Sequence, residues 1–256
     1  MKILFFGDVV GSPGRKIIRK AVEAWRSEVD FIIVNGENAA HGYGLTPKVV
    51  EEILDMGVDV ITTGGHIYDR KEWRLVIENY PQVLVPANYP GQFNRGIYVS
   101  SKGIVVINVH GQVFVNILFN HAFQTVDNLI SYVRDHFGDM PIILDFHAEA
   151  TSEKMAMGWF VDGRISAIVG THTHVPTADV RILPGGTGYI TDVGMCGCVD
   201  SVIGMDKDAA LRRFTTGVPE RMEPPKRCKN LKAYGILIEL DTQGKTTSMR
   251  RVVYDE

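Results

Sequence analysis

The chain has 256 residues, 45% of them hydrophobic and 22% charged, and its formal net charge is -3. That length allows one large domain or two small ones and buries roughly 70–75% of the unfolded surface, so a sizeable core is available. The balance is that of an ordinary globular protein and gives no support for a broad nucleic-acid or membrane footprint.

In chain order, short apolar runs alternate with amphipathic stretches. The start, "MKILFFGDVVG", is too short for a secretory leader, and Lys2–Phe6 reads as a buried strand. "SPGRKIIRKAVEAWRSE" predicts a helix with Ser12 as N-cap, Pro13 at the first helical position, and Ile17, Ile18, Val22 and Trp25 at helical spacing. "DFIIVNGEN" predicts the next strand. "TPKVVEEILDMG" repeats the helix start with Thr46 and Pro47 and stops at Gly57, and "VDVITTGGH" predicts a third strand. Strands alternating with helices imply a parallel sheet built from βαβ units.

The later half is richer in strands. "GIYVSSKGIVVINVHG" predicts a hairpin around Ser101–Gly103, and "VDNLISYVRDHFG" a helix. "MPIILDFHAEA", "ISAIVGTHTH" and "GYITDVG" predict three strands that run into polar tips. The tail predicts a second hairpin turning at Thr242–Gly244, and Gly217–Asn230 reads as a long solvated loop. No repeat or linker divides the chain, so residues 1–256 are expected to form one α/β domain, with strands in two sheets and helices outside. No apolar run approaches the ~18 residues of a membrane helix. Cys196, Cys198 and Cys228 form no C-x-x-C and are odd in number, which predicts reduced thiols and a cytoplasmic protein.

The informative pattern is where polar residues fall. Six apolar runs end in Gly7-Asp8, Asn35-Gly36-Glu37-Asn38, Gly64-Gly65-His66, Val109-His110, Phe146-His147 and Thr171-His172-Thr173-His174. In open α/β sheets, ligands bind beyond the carboxyl ends of the strands. Carboxylates, an amide and neutral imidazoles suit manganese, iron or zinc, and a set without cysteine argues against a structural zinc site. Two ions ~3.5–4 Å apart need a bridging carboxylate, a part Glu37 could play.

Each residue has a simpler reading when taken alone. Asp8 could be a turn residue, Glu37-Asn38 a polar loop, and His147 a satisfied core histidine. "GTHTH" is hardest to explain that way, because two histidines at i and i+2 past a buried strand point to one side. His110 could line the pocket. His41 reads as an exposed loop residue, and His121 and His136 as surface residues. Asp145 shares the face of His147 and could support it from behind. "GDVVGSPGR" lacks the phosphate-loop spacing. Ser152 and Cys196 have no visible partner, which disfavours a serine or cysteine hydrolase.

"GDVVG", "NGEN", "GGH", "DFHAEATSEKMAMGW" and "GTHTHVPTADVRILPGG" together resemble the YmdB-like branch of the calcineurin-like metallophosphoesterases. The likeness runs from Met1 to about Gly204 and extends toward the end. It implies an α-β-β-α sandwich of four layers with a two-metal site. By that likeness Asp8, Glu37, Asn38 and His174 hold one ion, and Glu37, His147 and His172 hold the other, with Glu37 bridging. His66 then stands by the leaving-group oxygen as proton donor or charge stabiliser.

The resemblance implies a phosphodiesterase acting through a metal-bound hydroxide on small phosphodiesters, notably 2′,3′-cyclic nucleotides. Iron or manganese is expected, with zinc as an alternative. A phosphomonoesterase or nucleotidase on the same site, or a binding regulator with little turnover, stays open, as does the oligomeric state, a homo-oligomer included. Gly65 departs from the family's asparagine, which supplies an amide oxygen to the second metal. Water is expected to fill that position, and Gly65→Asn to raise second-metal occupancy and activity at least ~10-fold.

Overall fold

The run Ile3–Phe6 carries no polar residue because its strand is covered on both faces. Alternate side chains go to different cores. Leu4 and Phe6 pack with helix residues Ile17, Ile18 and Val50, while Ile3 and Phe5 face Val106, Ile143 and Val169 of another sheet. That period of two sets the architecture.

The computed structural model describes residues 1–256. Its elements in chain order are β1 (Lys2–Phe6), β2 (Asp8–Val9), α1 (Gly11–Trp25), β3 (Phe31–Asn35), α2 (Pro47–Leu54), β4 (Val60–Thr62), α3 (Trp73–Asn79), β5 (Ile97–Ser100) and β6 (Ile104–His110). There follow α4 (Ala122–Phe137), β7 (Ile142–His147), α5 (Thr151–Val161), β8 (Ala167–Thr171), β9 (Arg181–Ile182), β10 (Gly188–Ile190), β11 (Met195–Cys198), α6 (Lys207–Thr216), β12 (Leu231–Leu240) and β13 (Thr246–Asp255).

The fold is mixed α/β with two mixed sheets. The first runs β2-β11-β12-β1-β3-β4, with β13 paired to β12, and the second runs β5-β6-β7-β8-β10-β9. Apolar residues fill three places: between α1, α2 and the first sheet, between the two sheets, and between the second sheet and α4 and α5. The parallel pairs β1–β3, β3–β4, β6–β7 and β7–β8 end at one edge. Register sets His110 beside His147, and His147 beside Thr171. No helix is long and apolar enough to cross a membrane.

Thr46 caps α2 as expected, its hydroxyl accepting from the Val49 amide. Ser12 does not cap α1. That helix begins before Ser12, at Gly11, with Val10 as N-cap and no side-chain cap bond, since valine carries no acceptor, and the Gly11 amide donates instead to the Asn38 carbonyl. Both hairpins form where expected. The cysteine expectation is overturned in part: Cys198 and Cys228 form a disulfide across 30 residues, and Cys196 alone stays a free, buried thiol. Sequence spacing could not show this, since only the return of the chain to β12 brings the two Cα atoms to 5.9 Å.

Candidate metal centre

The six polar tips meet at the carboxyl edge shared by both sheets. Asp8, Glu37, Asn38 and His66 come from the first sheet, and His110, His147, His172 and His174 from the second. Asp8, Glu37, Asn38, His110, His147 and His174 are buried, whereas His66 and His172 are partly open. Gly64 makes this convergence possible. A Cβ there would fall 1.5 Å from Glu37 Oε2, so only glycine lets the chain pass this carboxylate.

The histidines are wired so that bare nitrogens face inward. The Thr171 hydroxyl donates to Asp145 Oδ1 at 2.6 Å, so it must accept from His147 Nδ1 at 2.8 Å. Asp145 also accepts from Thr62 and from the Asn35 amide, which fixes the whole support behind His147. His174 Nδ1 donates to the Ile203 carbonyl at 2.8 Å. His172 Nε2 lies 3.1 Å from Glu149 Oε2, directing its other nitrogen to the centre.

Two groups of acceptors result. In one, His147 Nε2 lies 2.6 Å from Glu37 Oε2 and 3.0 Å from His172 Nδ1. These three residues offer donor atoms that all lie within 4.8 Å of one another. In the other, His174 Nε2 is 3.2 Å from Asn38 Oδ1 and 3.7 Å from Asp8 Oδ1. The Asn38 amide nitrogen is committed to the Gly42 carbonyl, so its oxygen faces inward. Asp8 Oδ1 and Glu37 Oε2 are buried without a hydrogen-bond partner, the short approach of His147 being poorly directed. Lone pairs crowded like this repel unless a cation sits among them, so the donor set fits a metal in both places.

Titration behaviour follows from the same crowding. Burial lifts the Asp8 carboxyl to about 6, against the pull of His174 and His147. Burial works against the charged form of Glu37, but His147 outweighs it and holds the carboxylate below its ordinary range. His147 is held above the usual imidazole range because Glu37, then Asp8 and Asp145, overcome its burial. Burial, then the His147 charge, drives His172 down to about 2 and His110 to about 4. Without metal, a proton on His147 partly fills the cation's place.

Backbone strain is concentrated here. His172 and His174 take positive φ values of 99° and 66°, costly for residues with a Cβ. Their loop is pinned by the His172 amide donating to Asp8 Oδ2 and the Thr173 amide to Asp192 Oδ2. Lys154 of α5, fully buried, donates to Asp192 and to the Thr171 carbonyl at 2.7 Å each.

A cavity of about 450 Å³ opens beside these residues, with Tyr43, His66, Arg213, Phe214 and Met222 on its walls. A larger one of about 640 Å³ lies at the opposite strand ends, around Arg134 and Gly244, and holds no histidine. His66 Nε2 lies 3.8 Å from Glu37 Oε1, while Nδ1 is 2.7 Å from Asp69 Oδ2. His41 lies away from the centre, lining a separate cavity with Arg70 and Arg221. Sequence reading gave no role to Asp69, Thr171, Glu149 or Lys154. Asp69, three residues after His66, and Thr171, next to His172, were open to notice; Glu149 and Lys154 depend on the path of α5.

Residues 4–252 match the family described as YmdB-like protein. The chain is 47% identical over 251 residues to the 2′,3′-cyclic-nucleotide 2′-phosphodiesterase of Bacillus subtilis strain 168, covering 96% of this chain and 93% of that one. A hypothetical protein from Thermus thermophilus superposes with a TM-score of 0.92 at 34% identity, covering 100% of both chains. A novel phosphatase from Mycoplasma pneumoniae superposes with a TM-score of 0.90 at 35% identity, covering 100% of this chain and 93% of the other. The convergent tips and these likenesses carry one conclusion: the chain belongs to the YmdB-like family, related to phosphatases and phosphodiesterases of the metallophosphoesterase type.

Proposed function

We infer that this protein is a dinuclear-metal phosphodiesterase acting on small phosphodiesters, with 2′,3′-cyclic nucleotides as the leading substrate class. Two adjacent groups of inward-facing acceptors carry this reading, Glu37 with His147 and His172, and Asp8 and Asn38 with His174. Asp8, Glu37, Asn38 and His174 would hold the first ion, and Glu37, His147 and His172 the second. The chemistry of the donors favours iron or manganese. When bound, the pair would acidify water and neutralise charge on the phosphoryl oxygens. In fold terms we read the three apolar fillings as the four-layer α-β-β-α sandwich of the calcineurin-like type, with residues 1–256 acting as one domain.

The chain's own groups do the rest. His66 presents Nε2 to the cavity, and Asp69 at Nδ1 holds the ring in that orientation, so His66 is placed to protonate a departing alkoxide. Arg213 offers a planar cation to a phosphate oxygen, and Phe214 and Met222 offer apolar surface to a base. A volume of about 450 Å³ suits a nucleotide-sized ligand.

Metal analysis of the purified protein, followed by assays with added manganese, tests the reading. Hydrolysis of 2′,3′-cyclic AMP and bis-p-nitrophenyl phosphate faster than p-nitrophenyl phosphate is expected. A faster monoester rate would move the assignment to a phosphomonoesterase. Trace metal with no hydrolysis of any ester would sink it.

A further inference from the structure

Gly65 brings no side chain to the centre, and the second ion is left with three donor residues, Glu37, His147 and His172. The space beside Gly65 is nevertheless not empty of donors. A Cβ built at Gly65 would stand 3.5 Å from Nε2 of His110, and its one other close neighbour is the Ile117 methyl at 3.0 Å. The imidazole edge of His110 therefore lies where a side chain at position 65 would reach.

His110 ends β6 directly beside His147 in parallel register, and the two ring centroids are 5.1 Å apart; His172 is 6.1 Å away. Its backbone and its ring are both held in place. The His110 amide donates to Asn88 Oδ1, and its carbonyl accepts from Asn88 Nδ2. The ring stacks on Phe119 at 4.4 Å with planes 16° apart. Nδ1 lies 2.6 Å from the Gly111 carbonyl, which can only accept, so Nδ1 carries the proton and Nε2 is bare. No hydrogen bond within the protein reaches Nε2. This is the wiring already seen in His147, His172 and His174: the outer nitrogen is tied to an acceptor and the inner one is free.

We propose that His110 is a further ligand of the second ion, supplying through Nε2 the donor that Gly65 cannot. The proposal rests on the two-ion reading above. His110 stands just outside the tight three-donor group, on the side facing position 65, and completes that side. The vacancy expected from sequence is then filled by protein rather than by water alone, and the site is a rearranged metal centre rather than a damaged one.

The test uses the full chain loaded with cobalt(II), comparing wild type with His110→Phe, which keeps the ring and its stack on Phe119 but has no lone pair. A ligand histidine shows a strongly shifted exchangeable N–H signal in proton NMR. Four such signals are expected in wild type, from His110, His147, His172 and His174, and three in His110→Phe. Metal titration should show the second ion held at least ~10-fold more weakly in His110→Phe and in His110→Ala, with the first ion unchanged. An amide introduced by Gly65→Asn should restore the second ion in the His110→Ala background. Three shifted signals in both proteins, or two ions held alike with and without His110, would overturn the assignment. A wild-type chain that takes up no ion would overturn the two-ion reading itself, so the two failures are distinguishable.

Discussion

His66 and Asp69 sit three residues apart on the 3-10 turn after β4, and their 2.7 Å contact aims Nε2 into the cavity. If His66 protonates the leaving group, its value depends on how badly that group needs a proton. His66→Ala is expected to lower kcat ~100–1000-fold on 2′,3′-cyclic AMP and far less on bis-p-nitrophenyl phosphate, whose phenolate leaves unaided. Equal losses on both substrates, read by steady-state kinetics, would reassign His66 to charge stabilisation. Protons also compete with metal at single residues. Ligands bind in their deprotonated forms. Burial lifts Asp8 to about 6, so affinity should weaken as pH falls through that value. His147, held above the usual imidazole range, keeps its proton at neutral pH without metal, so loading should release one. Calorimetry in buffers of different ionisation enthalpy reads this directly, and a buffer-independent heat at neutral pH would refute it.

At the scale of elements, α5 matters most to the centre. Lys154 and Asp192 are each about 1% exposed and together clamp the loop that holds His172 and His174 at positive φ. Removing one partner of a buried ion pair strands the other charge. Lys154→Met should therefore cost about 3–5 kcal/mol in denaturant unfolding, and the added change Asp192→Asn should return part of it. A loss under 1 kcal/mol would show that the clamp is not needed. The same helix explains what could be read in advance. β1, β3, β6, β7 and β8 were legible because each carries a dense apolar run and ends in a polar tip. α5 was not, because it buries Glu153 and Lys154 beside Met157, so no clean apolar stripe marks it. The six candidate ligands were legible as strand-tip residues. Their tautomers and the disulfide were not, since these depend on partners far apart in the chain, such as Asp145 with Asn35 at a separation of 110 residues.

At the scale of the molecule, the two sheets contribute equally to one edge. The first brings Asp8, Glu37, Asn38 and His66; the second brings His110, His147, His172 and His174. Most of the packing between the sheets is apolar and non-directional, and the directed bonds at this edge are few, chiefly Asn35 and Thr62 of the first sheet donating to Asp145 of the second. A pair of cations held by both sides would act as a rivet, locking the sheets in alignment at the end where catalysis needs it. Loading should then be felt as global stability. At free metal a thousandfold above Kd, linkage predicts about 4 kcal/mol per ion, so a chelator should lower Tm and speed amide exchange at the tips of both sheets. Exchange that changes on one sheet alone would mean the ions belong to one half. If both respond, the folded protein and the loaded enzyme are nearly the same species, and starving the chain of metal would remove it by unfolding as much as by inactivation.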